Sequence, residues 1–331
     1  MRRSLRLALL LSGFVLATPA LAQEKTGHID NWESWSLDWE VKENTGLALR
    51  NVTYQGEMVL AKASMPVIRV KYVKERHWWN PLTWFGSRAE TGRCGPFQDR
   101  IRWKDLVPIK NCGDKMMCVE SYEQGGVKWL ELGVYARIGA YHIYQAWYLN
   151  SAGEIHPTVY SRGLSCNTDH IHHPYWRLDF DIDGNGMDQV FVHDEGAPNE
   201  GWGPGWHKYR NELNAVKDPE AKRTWFVRDQ PTGRGVWIIP GPGYSTITPN
   251  PLQGDGHYDK FADKDVGVRR DRAEEDQPWA FAARGHLGYD DDNEGVQEQD
   301  IVFWYVGHLP HEAQHGELEW LGVGPVLRVQ R

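Results

Sequence analysis

The stretch Leu47-Ala48-Leu49-Arg50-Asn51-Val52-Thr53-Tyr54 decides the fold class. It is short, rich in β-branched and aromatic residues, and bounded by residues that favour turns. The same grammar recurs at Gln189-Val190-Phe191-Val192, at Gly235-Val236-Trp237-Ile238-Ile239 and at Pro325-Val326-Leu327-Arg328-Val329. Recurrent short strands of this kind predict an all-β protein, an antiparallel β-sandwich. Helical periodicity is weak throughout. Only Asn211 to Arg223 carries a mild helical pattern, which Pro219 interrupts. The 17 tryptophans suit a sandwich core, since each ring brings a large apolar area. Trp78, Trp79 and Trp84 also suit the wall of a substrate channel.

Outward from these strands, the chain opens with two arginines, an apolar run from Leu5 to Leu16 and the small-residue stretch Ala17 to Ala22. This reads as a secretory signal peptide over residues 1–22, cut after Ala22. The apolar run is too short to cross a bilayer, so no membrane span is expected. The mature part, 23–331, reads as one large domain in an extracytoplasmic setting, periplasmic or secreted. There an even count of cysteines, Cys94, Cys112, Cys118 and Cys166, favours disulfides, with three pairings open. The net charge of -8 and the lack of a basic stripe exclude nucleic acid as a partner. Small molecules or ions remain.

The local chemistry centres on His170-Ile171-His172, followed by Arg177-Leu178-Asp179. Residues two apart on a strand point to one face, so both imidazoles can meet one ion. Imidazole suits Cu, Zn, Fe or Ni alike. A third histidine, His311, closes the β-like run that begins at Asp300. A histidine just past a strand end can complete a site on the first pair.

These residues resemble the catalytic domain of copper amine oxidases. That family is similar in its His-x-His, in the Arg-Leu-Asp after it, and in a later Asp-Ile-Val-x-Trp with a final copper histidine beyond. Trp35-Ser36-Leu37-Asp38-Trp39, Thr45-Gly46-Leu47 and Asn51 to Tyr54 resemble the opening of the same domain. The resemblance implies copper on His170, His172 and His311, and a peripheral divalent cation, such as calcium, at Asp179 and Asp300. It implies that Tyr141 is the tyrosine oxidised to topaquinone. Ala140 stands where the family has asparagine, and His142 where it has an acid. The proton-abstracting base corresponds to Glu90, in Glu90-Thr91-Gly92-Arg93, with Asp99 as second candidate, and Tyr72 resembles the tyrosine that hydrogen-bonds the quinone. The resemblance further implies a homodimer and a Cys112–Cys118 disulfide, which leaves Cys94 to pair with Cys166. The implied activity converts a primary amine and oxygen to an aldehyde, hydrogen peroxide and ammonia.

Other readings compete with this one. A non-catalytic copper-binding or accessory protein would keep the histidines and lack the quinone. His311-Glu312-Ala313-Gln314-His315 fits the zinc metalloprotease pattern, which needs a helix that Gly316 and the preceding β-like run oppose. Asp179 to Gly186 imitates the start of a calcium loop without the flanking helices, and Asp290-Asp291-Asp292 reads as a solvated loop.

Overall fold

The computed structural model describes residues 25–70, 97–164, 170–198, 201–246, 264–271, 293–311 and 319–330. In chain order its strands are β1 (Thr26–Trp32), β2 (Trp35–Lys42), β3 (Gly46–Tyr54), β4 (Glu57–Val70), β5 (Phe97–Asp99), β6 (Met117–Gln124) and β7 (Val127–Ile138). There follow β8 (Tyr141–Asn150), β9 (Glu154–Arg162), β10 (His170–Phe180), β11 (Asp188–Asp194), β12 (Gly205–Lys208), β13 (Leu213–Ala215) and β14 (Thr224–Asp229). The last are β15 (Gly235–Pro240), β16 (Val266–Arg270), β17 (Ile301–Val306), β18 (Leu309–His311), β19 (Leu321–Val323) and β20 (Pro325–Gln330). Among the described residues there is no α-helix.

Two antiparallel sheets result. The first runs β1-β2-β3-β4-β10-β17-β16-β13, with β5 beside β4 and β18 beside β10; the second runs β12-β11-β14-β15-β20-β9-β8-β7-β6, with β19 beside β9. The four segments that set the sequence expectation fall in β3, β11, β15 and β20, and the antiparallel sandwich is as expected. One core joins the inner faces, with Leu37, Leu49, Leu178 and Phe303 from the first sheet meeting Leu132, Trp147, Ile155 and Val227 from the second. Trp35, Trp147, Trp176, Trp225 and Trp304 are all fully buried, as a tryptophan-rich core requires.

The helical reading of Asn211 to Arg223 is wrong. Leu213–Ala215 is a strand paired with β16, and the following residues turn around Pro219. The periodicity was weak, Pro219 removes a helical donor, and the buried ion pair of Arg223 with Asp194 at 2.8 Å fixes the chain in the turn. The Cys112–Cys118 disulfide forms with Cα atoms 5.4 Å apart. Cys94 and Cys166 lie outside the described residues.

A polar staple ties the sheets together. Gln145 of β8 donates to the Leu47 carbonyl and accepts from the Leu47 amide of β3, both at 2.9 Å, and Trp147 Nε1 donates to the same carbonyl at 3.1 Å. Gly46, at φ +72°, makes the approach feasible, because a Cβ there would stand 2.2 Å from Gln145 Oε1.

Strand β10 is central, and all eleven of its residues are buried, so it shows no polar alternation. On one side it pairs with β4; on the other, β17 covers Tyr175–Phe180 and β18 covers His170–His172. The break between β17 and β18 lies opposite Pro174, which has no N–H to give to the ladder. The chain recrosses there through Gly307, whose amide donates to the Pro174 carbonyl at 2.9 Å.

Candidate metal centre

The register that follows that break places His311 directly opposite His170. His170 and His172 share a face of β10, so three imidazoles converge, with ring centroids 5.0 Å (170–172), 5.2 Å (170–311) and 4.8 Å (172–311) apart. Tyr141, the first residue of β8 on the facing sheet, closes the cluster. Its hydroxyl lies 2.9 Å from His170 Nε2, and its ring stands 4.6 Å from that of His172 and 5.5 Å from that of His311. All four side chains are buried.

The electrostatics are those of neutral nitrogen donors. Burial, reinforced by the neighbouring imidazoles, holds His172 well below the usual histidine range, and burial with His170 brings His311 down to about 3. Both ring nitrogens of His172 and Nε2 of His311 have no hydrogen-bond partner. An orphaned buried polar atom costs roughly 1–3 kcal/mol, and a bound metal ion would satisfy these nitrogens. Donor chemistry and burial therefore fit a copper or zinc ion. The fit needs some adjustment: among the described residues, the one trio of donor atoms all within 4.8 Å of one another is Cys112, Cys118 and Glu120, and its sulfurs are already bonded together. The imidazoles must rotate to bring their nitrogens to a common ion.

Behind the cluster lies a polar chain that sequence reading missed. His173 points away from the imidazole cluster, and its Nδ1 lies 2.8 Å from His308 Nδ1. His308 Nε2 hydrogen-bonds Asp265, and Lys217 Nζ stands 3.8 Å from the same carboxylate and donates to the Val306 carbonyl at 3.1 Å. Burial pushes the Asp265 carboxyl up, but Lys217 and His308 outweigh it and hold the group below the usual range. The four side chains fix the β17–β18 junction, and with it the position of His311. The only sequence signals were the doublet His172-His173 and the spacing His308 to His311.

The other candidates divide. Asp179 and Asp300 do come together, at the far end of β10. Burial first, then Asp179, Asp271 and Asp181, pushes Asp300 up to about 7, while Asp179 is raised by burial despite its ion pair with Arg177 at 2.9 Å. Asp188, which the sequence did not flag, joins them; it is fully buried and pushed up to about 8, by burial and then by Asp181, Asp229 and Asp300. Asp183, also in the calcium-like run, is instead paired with Arg234 at 2.7 Å. Asp99 ends β5 beside Ile68, with Arg102 and Asp105 as the charges around it, and burial pushes it up to about 6. Glu90, Tyr72, Trp78, Trp79, Trp84, Glu312, His315 and Asp290 to Asp292 lie outside the described residues, as does 1–22. His311 itself sits in a strand, so the helix that a protease motif needs does not begin there.

A β-sandwich carrying three converging imidazoles against a buried phenol defines the class to which this architecture answers. In three dimensions the chain is similar to a copper-containing benzylamine oxidase from Hansenula polymorpha (TM-score 0.66, 15% identity, 96% of this chain and 63% of that one). It is also similar to the Pichia pastoris lysyl oxidase (TM-score 0.60, 12% identity, 100% and 56%) and to an Aspergillus nidulans amine oxidase (TM-score 0.60, 15% identity, 90% and 50%). The chain thus spans less than two thirds of the length of each. No protein-family model and no curated sequence matches it. The fold is that of the amine oxidase structures.

Proposed function

We propose that this chain is an exported copper-dependent amine oxidase in which His170, His172 and His311 hold copper and Tyr141 is the precursor of a quinone cofactor. The observation that carries the reading is the buried Tyr141 phenol inside the imidazole cluster, with its hydroxyl 2.9 Å from His170 Nε2. Copper bound there would supply the redox chemistry by which oxygen oxidises the phenol ring, and the resulting carbonyl cofactor is the electrophile that ordinary side chains lack. His172 and His311, held neutral by burial, keep lone pairs available across the physiological range. The contact between the Tyr141 hydroxyl and His170 Nε2 holds the phenol against an imidazole whose lone pair copper would take in its place. The walls of the sandwich exclude water from the ring. The base that takes the substrate proton is Glu90 or Asp99; Asp99, at about 6, is poised near neutrality. The overall reaction combines a primary amine, oxygen and water to give an aldehyde, ammonia and hydrogen peroxide. Asp179 and Asp300 would hold a peripheral divalent cation, and the active form would be a homodimer.

A second reading, a copper-binding protein without the quinone, is favoured by one observation. His142, in the position the family fills with an acid, is held in an aromatic cluster, hydrogen-bonded to the Tyr135 hydroxyl and packed near Trp320. One experiment separates the two. Protein purified without copper, then loaded in air and treated with phenylhydrazine, is expected to develop a visible absorption band that Tyr141→Phe abolishes while copper stays bound. A bandless wild type with an unmodified Tyr141 peptide by mass spectrometry leaves the second reading alone.

A further inference from the structure

On the outer face of the second sheet, opposite the face that carries Tyr141, lies a trough of about 430 Å³. Strand alternation puts it there: Tyr141, Ile143 and Trp147 of β8 point into the core, while Tyr144 and Tyr148 point outward. The outward rows of β7, β8 and β9 place Glu131 opposite Tyr148 and Tyr148 opposite His156, with Trp129 one row away. Tyr122 and Tyr160 complete the aromatic lining, and Gly322 lets the Tyr160 ring lie close on β19, because a Cβ there would come within 2.6 Å of the ring.

Charge and hydrogen-bond satisfaction select the ligand. Among the described residues no lysine or arginine lines the trough, and Glu131 is the one acidic side chain, which disfavours anions. A neutral sugar would need polar groups to spare, and most are already engaged. The hydroxyls of Tyr144 and Tyr148 both donate to Glu131 Oε1, His156 Nε2 is 3.1 Å from Glu154, and the Ser245 hydroxyl accepts the Gly324 amide at 3.0 Å. Burial, then Glu131 for Tyr144 and Tyr160 for Tyr148, keeps both phenols protonated well above the usual range. What remains for a ligand are the aromatic side chains that line the trough and the second oxygen of Glu131, which takes neither phenol. Ring faces around one carboxylate attract a weakly hydrated organic cation.

We propose that this trough is a binding site for an organic ammonium ion, with Glu131 as counter-charge and Trp129, Tyr148 and Tyr160 as π surfaces. The site is independent of the metal centre. A quaternary ammonium probe keeps the two apart, because it has no N–H bond and cannot form a Schiff base. The test is calorimetric titration of choline chloride into the full chain, dialysed against a chelator. Saturable binding is expected, with the neutral isostere 3,3-dimethylbutan-1-ol at least about tenfold weaker. Glu131→Gln, which keeps the side-chain shape, and Trp129→Leu should each weaken choline by about tenfold, with an unchanged unfolding midpoint for the first. Absence of choline binding, equal binding of the alcohol, saturation by methyl glucoside instead, or a Glu131→Gln protein that binds choline like the wild type would each overturn the assignment.

Discussion

The two ends of β10 are built from opposite chemistry. At its start stand His170 and His172, which with His311 offer neutral nitrogen; at its end stand Asp179 and, just beyond, Asp181, which with Asp188 and Asp300 offer crowded oxygen. Seven steps along the strand, about 23 Å, separate His172 from Asp179. Nitrogen donors suit copper or zinc and carboxylates suit calcium or magnesium, so one buried strand can serve two ions without competition. In both places a like-charged or lone-pair-rich cluster is held together by burial with too little internal compensation. Each end gains most from a cation of its own kind.

The most direct way to break this comparison is at the imidazole end. His172→Ala removes a proposed ligand whose two nitrogens have no protein partner, and copper affinity should fall by more than the roughly 10–100-fold typical of changes behind a metal site. Asp300→Asn should leave copper affinity unchanged and abolish calcium-dependent thermal stabilisation. Competitive titration with a copper indicator and thermal unfolding read the two separately, and a shared loss would mean that the ends are not independent. Next in size is the chain behind the cluster. Asp265→Leu strips the fully buried Lys217 and His308 of their common partner and should cost about 3–5 kcal/mol in denaturant unfolding. A cost near zero would mean that the buried lysine adapts by losing its proton, toward which burial already pushes it.

Much of this was legible before any coordinates. The strands at Leu47–Tyr54 and Pro325–Val329 announce themselves because β-branched residues sit between turn formers, and His170-Ile171-His172 announces a shared face because a strand repeats every two residues. That His311 could join the first pair was legible from its place at the end of a β-like run and from family resemblance, but the register across β10 and β18 depends on a ladder break at Pro174 that no periodicity records. Lys217, Asp265 and Asp188 carried no signal at all: they lie far apart along the chain and acquire meaning only from burial. At Leu213–Ala215 the local pattern pointed the wrong way, because pairing with β16 outweighs a weak helical preference.

The smallest expected effect is also the one that tests both ends at once, through pH. In metal-free protein Asp300 and Asp188 hold protons up to about 7 and about 8, whereas the unfolded chain releases them near the ordinary carboxylate value. Their contribution is complete below about pH 4 and is lost as pH rises through 7 to 8. The imidazole end has the opposite sign. His311, at about 3, and His172, lower still than an ordinary histidine, stay neutral in the fold while the unfolded chain takes up protons below about pH 6.5. That contribution is present above about 6.5 and lost as pH falls toward 3. Between about pH 4 and 6.5 the two trends oppose each other, so thermal unfolding of the chelated protein should show its highest midpoints as a plateau there and fall on either side by a few degrees. Calcium should flatten the alkaline limb alone, because it would hold the carboxylates ionised as they are in the unfolded chain, and copper should raise the acid limb without changing its slope, because the imidazoles it would take are already neutral in the fold. If calcium changed the slope of the acid limb, or copper that of the alkaline limb, the two ends of β10 would have to be treated as a single coupled site.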